Sequence, residues 1–207
     1  MLQVTLQLIT TLLMIKSCKM REIRMINENI VSPEESRKIE GYALVFNTES
    51  NDLGGFNEVI DSRALEGVIE KSDILCLLNH NEDKGVLARC NKGAGSLTLE
   101  IDERGLKYSF DAPNTALGDE LLEGIKRGDI STSSFAFSVG EDKWTKRNDG
   151  TYLRTINNIR ELYDVSPVYR AAYDATSVSV DKRGLEQLKK NEREELDEYY
   201  KDLRSQL

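Results

Sequence analysis

A chain of 207 residues, 39% hydrophobic and 31% charged, has the balance of a soluble globular protein, long enough for one sizeable core and short for two. A net charge of −8 with no basic stripe argues against nucleic-acid binding, where affinity rests on Lys and Arg neutralising phosphates. Three cysteines (Cys18, Cys76, Cys90) without a CxxC spacing fit a reducing cytoplasm better than an oxidised scaffold, and the lone histidine, His80, leaves little room for zinc.

Residues 1–15, MLQVTLQLITTLLMI, are as apolar as a signal-peptide core, but Lys16, Lys19 and Arg21 follow the run instead of preceding it, and no A-x-A site comes after. The run is also shorter than the about 20 residues that span a bilayer. Two readings stand: a start assigned too early, with the natural start at Met20 or Met25, or a membrane-associated or loosely packed N-terminal helix.

From Arg37 the pattern turns to strands. KIEGYALVF (38–46) mixes alternation with β-branched and aromatic residues, and the polar loop NTESNDLGG ends it. FNEVI (56–60) is a second short strand, and DSRALEGVIE (61–70) predicts a helix capped by Asp61 or Ser62. DILCLLNH (73–80), a continuous apolar run, predicts a strand buried on both faces. VLARC, SLTLEID and GLKYSFDA predict short strands separated by turns containing glycine. NTALGDELLEGIKRG (114–128) predicts an amphipathic helix with Leu117, Leu121, Leu122 and Ile125 on one face and Gly128 as its stop. SFAF opens another strand, and YLRTINNIRELYDVSPV and TSVSV read as further ones. Eight or more strands with two interspersed helices predict an α+β fold, a small, mainly antiparallel β-barrel or curled sheet flanked by helices. Residues 184–207 differ sharply: charges of both signs surround a stripe of Leu185, Leu188, Leu196, Tyr199, Leu203 and Leu207. That is a solvated helix or short coiled coil, suited to docking on a partner or a second copy, or else a frayed charged tail.

Three groups carry candidate chemistry. His80 ends the apolar run, and its side chain alone has an unperturbed pKa suited to general-base work near neutrality, so any serine–histidine pair here must use it. The stretch GDISTSSFAF (128–137) crowds Ser131, Thr132, Ser133 and Ser134 before Phe135 and Phe137. Alternation sends the phenylalanines to the core and Ser134 away from it, although the same hydroxyls would also serve to cap a turn. A slip of one residue would favour Ser133 instead. In ELYDVSPV (161–168), Glu161 and Asp164 are both able to orient an imidazole, and in a regular strand Asp164 shares its face with Leu162 and Ser166. Cys76 lies mid-run and reads as core. No DxDxDG calcium loop or GxxxxGK[ST] phosphate loop occurs, and a carboxylate site for magnesium or calcium stays open.

Taken together, GYALVFN, LLNHN with VLAR, DELLEGIKRGDI, SSFAFSV with a following Trp, and ELYDVSPV with AYDATSV resemble the prohead maturation proteases of tailed bacteriophages. The resemblance spans residues from about 36 to 180, and that family's fold is similar to the herpesvirus assembly protease. It implies a serine endopeptidase with Ser134 as nucleophile, His80 as base and Asp164 as orienting acid, and with no metal or organic cofactor. It implies as substrates a scaffold protein or the scaffolding segment of the major capsid protein, together with the protease itself. The place of action would be the assembling prohead in the host cytoplasm, with self-association expected and no nucleic-acid or membrane partner. The expected division is an undetermined segment over 1–35, a protease domain over 36–181 and a charged helix over 182–207. SFAF and VLAR carry alanine where the family often has glycine, and VSPVYRAAY lacks the proline usual before the final Ala-Tyr. The competing expectation is a non-enzymatic capsid assembly or scaffold protein that keeps the fold and joins the shell through its C-terminal helix.

Overall fold

A computed structural model describes residues 21–26, 30–33, 36–169 and 174–205; the apolar run over 1–15 lies outside them. Among the described residues ten strands form two sheets. The larger contains β1 (Glu22–Ile26), β3 (Phe56–Ile60), β4 (Asp73–Cys76), β5 (Ala88–Asn91), β6 (Ala94–Gly95), β9 (Thr132–Lys146) and β10 (Tyr152–Val168). Its order is β1-β9-β10-β4-β5-β6, with β3 beside β10. Pairing is antiparallel except that β10 runs parallel to β3 and β4. The smaller sheet places β8 (Gly105–Asp111) between β2 (Lys38–Val45) and β7 (Thr98–Ile101).

The expected barrel is not closed by hydrogen bonds among the described residues. β2 and β8 pair with one another, and the sheets meet through side chains: Ile39, Leu44, Leu106 and Tyr108 join Ile74, Phe135, Phe137 and Val165 in one buried core. Gly41 makes one such contact possible. It lies opposite Tyr108, and a Cβ there would sit 2.9 Å from the Tyr108 hydroxyl oxygen. The ring thereby reaches across to β9, where its hydroxyl meets Ser133 Oγ at 2.8 Å.

The helix α1 (Ala116–Arg127) forms as its pattern requires. Thr115 Oγ1 accepts from the Gly118 N–H, Gly128 closes the helix at φ 78°, and Leu121 enters the core with Leu117, Leu122 and Ile125 around it. The helix expected over 61–70 is a chain of turns instead. Bonds such as Ala64 N–H to Asp61 O and Val68 N–H to Leu65 O span three residues, and Gly67 at φ 65° breaks the right-handed repeat. Its apolar residues Ala64, Leu65 and Val68 are nevertheless buried. The strand expected over 73–80 stops at Cys76, and TSVSV belongs to a helix, α2 (Asp174–Ser205), not to a strand.

The chain divides into two compact units at 172/173, with α2 in the second. On α2, Leu196 and Tyr199 of the expected apolar stripe are exposed, and Lys190 and Glu194 pair one turn apart at 3.7 Å. Among the described residues no helix is long and apolar enough to cross a membrane.

Candidate active site

β9 and β10 form a long antiparallel hairpin closed through Gly150 at φ 85°. In its ladder Ser134 faces Ser166 and Ala136 faces Asp164, so these residues share one side of the sheet. The core side carries Phe135 and Phe137, with Val165 and Leu162 opposite them. A regular strand would put Leu162 on the same face as Asp164, but the register shifts between them. This bulge leaves Leu162 in the core and turns Asp164 to the side of Ser134, an effect bulges commonly have beside functional sites.

His80 arrives from β4, which lies parallel beside β10 with Leu75 opposite Asp164. Beyond Cys76 the buried Leu77 and Leu78 hold the chain down. Asn79 and His80 then take φ values of 56° and 57°, a left-handed pair of non-glycine residues. Such a conformation costs on the order of 1 kcal/mol or more per residue and persists only where the surroundings enforce it. Here the Asn79 N–H donates to Pro167 O of β10 at 2.9 Å, and Asn81 caps the following 3-10 turn, Glu82–Lys84, through a bond from the Asp83 N–H.

The turn brings the imidazole between two partners. Nδ1 lies 2.6 Å from Asp164 Oδ1, and Nε2 lies 2.6 Å from Ser134 Oγ. A carboxylate only accepts, so the network places a proton on Nδ1 and, in the neutral ring, leaves the Nε2 lone pair toward the serine hydroxyl. Asp164 is 1% exposed and the His80 side chain 15%, so the acid is sealed while the ring keeps an edge to solvent. Asp164 also receives Ser166 Oγ–H on Oδ1 at 2.6 Å, and the Arg21 guanidinium pairs with Oδ2. Arg21 lies over the Tyr163 ring, 5.8 Å from its centroid, and its other nitrogen is 3.5 Å from Glu82. Ser134, fully buried, also has Arg24 O of β1 as an acceptor at 2.8 Å.

The three residues singled out in sequence therefore come together, while the other candidates do not. Ser133 faces the core and meets Tyr108, and Glu161 sits at an exposed position. Cys76 is buried, and burial, with the negative charge of Asp164 adding to it, pushes its thiol well above the ordinary range. Among the described residues no group of His, Cys, Asp and Glu side chains is arranged to hold a metal. Arg21 and the Arg24 carbonyl were not legible as site components, since β1 and β9 are more than a hundred residues apart and nothing local announces their pairing. Ser166 had a weak signal, its two-residue spacing from Asp164.

The bacteriophage T4 capsid assembly protease is a structural neighbour with 15% sequence identity and a TM-score of 0.44, the match covering 73% of this chain and 97% of that one. No curated protein matches the chain. The sequence model of Caudovirus prohead serine proteases aligns with residues 24–191, through β9, β10 and the turn carrying His80. Matched over most of its length, the chain belongs to the Caudovirus prohead serine protease family.

Proposed function

We propose that the chain is a prohead maturation endopeptidase in which Ser134, His80 and Asp164 act as nucleophile, general base and orienting acid. The observation that carries this reading is the His80 ring held between Asp164 Oδ1 and Ser134 Oγ, at 2.6 Å from each. In the reaction, His80 Nε2 takes the Ser134 hydroxyl proton as Oγ bonds to a peptide carbonyl carbon. The C–N bond of the tetrahedral intermediate breaks as the imidazolium returns that proton to the leaving amine. Water then attacks the acyl-serine ester, giving its proton to Nε2, and Ser134 regains a hydroxyl as the new carboxyl product leaves. Asp164 keeps Nδ1 protonated and offsets the positive charge that the ring carries between these transfers.

The substrates in this reading are the scaffold protein or the scaffolding segment of the major capsid protein, and the protease itself, cut inside the assembling prohead in the host cytoplasm. Family membership supports that substrate class. The test is co-expression with the cognate major capsid protein, wild type beside Ser134→Ala, reading the masses of both chains. Wild type should shorten the capsid protein while the variant leaves it at full length. Cleavage that survives Ser134→Ala sinks the nucleophile assignment, and assembly without cleavage by the wild type points to a scaffold role.

A further inference from the structure

We propose that Ser166 is a positioning residue for the serine protease reaction, keeping the Asp164 carboxylate turned to His80 against the competing pull of Arg21. The inference rests on the reading of Ser134, His80 and Asp164 as the reacting group. Its basis is how the donors divide between the two carboxylate oxygens. Oδ1 receives both His80 Nδ1–H and Ser166 Oγ–H, each at 2.6 Å, whereas Oδ2 receives Arg21.

A guanidinium offers two parallel N–H groups that match both oxygens of a carboxylate, and that forked pairing is its preferred geometry. Arg21 does not achieve it here. One terminal nitrogen meets Asp164 Oδ2, and the other is directed to Glu82. Rotation of an aspartate carboxylate about its last torsion is soft, so donors, not the torsion, decide where the oxygens point. Ser166 supplies the second donor on Oδ1. It is fully buried, two residues along the same strand face, and placed by the ladder opposite Ser134. Without its hydroxyl, Oδ1 keeps only the imidazole N–H, and Arg21 gains by drawing both oxygens into its fork. His80 would then lose the partner that holds its tautomer, although no group touching the substrate had changed.

Two readouts separate positioning from mere packing. The first is the reaction of the full-length protein with diisopropyl fluorophosphate, where Ser134 Oγ gives its proton to His80 Nε2 and bonds to phosphorus as fluoride leaves, giving a maximal rate and a binding constant without a protein substrate. Ser166→Ala should lower the maximal rate about tenfold, a fraction of what acid–base catalysis supplies, with the binding constant unchanged. Adding Arg21→Met to Ser166→Ala should recover at least half of that loss, because the competitor is gone. Ser133→Ala removes an equally buried hydroxyl from the core face and should leave the rate near wild type. The second readout is the imidazole N–H signal of the one histidine in the chain, read in a Ser134→Ala background. Its hydrogen-bonded Nδ1–H resonance should move upfield or broaden away with Ser166→Ala and return with Arg21→Met. An unchanged rate and resonance in Ser166→Ala overturns the role of Ser166. A double variant no better than Ser166→Ala overturns the competition with Arg21. Wild-type protein that takes no label, or label that persists in Ser134→Ala, overturns the nucleophile reading itself and this inference with it.

Discussion

Replacing Arg154 with methionine should be among the most destabilising single changes the fold admits. Arg154 on β10 lies at the centre of a buried charge cluster: its Nη1 is 2.7 Å from Glu22 and 3.1 Å from Glu58, and its Nε is 2.7 Å from Asp142. Arg24 completes it, 2.7 Å from Glu58 and 2.8 Å from Glu22. Burial alone would weaken the hold of Arg154 on its proton, but the bonds and charges of Glu22, Glu58 and Asp142 outweigh that and hold it well above the usual range. Methionine keeps the length and apolar stem yet leaves two buried glutamates sharing the Arg24 guanidinium. Removing one partner from a buried ion pair costs about 3–5 kcal/mol, because the remaining charge stays desolvated. Asp142 is 29% exposed and adds little, since water can replace its lost partner. Urea unfolding of Arg154→Met beside wild type should show that loss as a lower midpoint with an unchanged slope. At about 2–4 °C per kcal/mol for a chain of this size, melting should fall by roughly 6–20 °C. A loss below about 1 kcal/mol would refute the reasoning, for it would mean that the cluster's attraction does no more than cancel its desolvation.

The remaining expectations concern single groups. Cys76, buried and with its thiol pushed up, should resist iodoacetamide at neutral pH in the native protein and react once urea unfolds it; modification of the folded chain at a free-thiol rate would contradict this. Tyr169, whose hydroxyl donates to Glu120 at 2.6 Å, is raised to about 12 by partial burial and then by that carboxylate. A phenol held above its unfolded value of 10.0 stabilises the fold below that pH and loses the contribution as pH rises through about 12. The tyrosinate absorbance of wild type minus Tyr169→Phe should therefore rise near 12, and a step near 10 would show the bond to be absent.

Much of the fold was legible because its signals are local. The helix at 116–127 had a cap, a stripe and a stop, and β2, β3 and β8 had clear periodicity between turn residues. Where expectation failed, a long-range or single-residue effect overrode the pattern. Gly67 broke a run whose spacing suits a helix, and an apolar run continued into the core after Cys76 without remaining a strand. The gathering of His80, Ser134 and Asp164 followed from ordered motifs, but the face on which Asp164 lies did not. Strict alternation pairs it with Leu162, and only the bulge, visible in the β9–β10 register, separates them. A bulge has no sequence signature in INNIRELYD, where neither glycine nor proline marks it.

Arg24 ties the stability of the sheet to the chemistry of the site. Its side chain belongs to the buried charge cluster, while its backbone carbonyl, one residue from the Met25 that faces Ser134 across the ladder, accepts from the serine hydroxyl. That hydroxyl has one proton and two acceptors in reach, Arg24 O at 2.8 Å and His80 Nε2 at 2.6 Å. The proposed proton transfer requires the hydroxyl to point to the imidazole, so in that reading each moment spent on the carbonyl is a moment when Ser134 is not activated. The balance is set by where β1 lies, and β1 is an edge strand of five residues whose grip on the sheet is reinforced through Glu22 and Arg24. Arg21, at the start of the same segment, reaches Asp164 on the other side of the ring. One short edge strand thus places an acceptor beside Ser134 and a cation beside Asp164, and the ion cluster that anchors it fixes both.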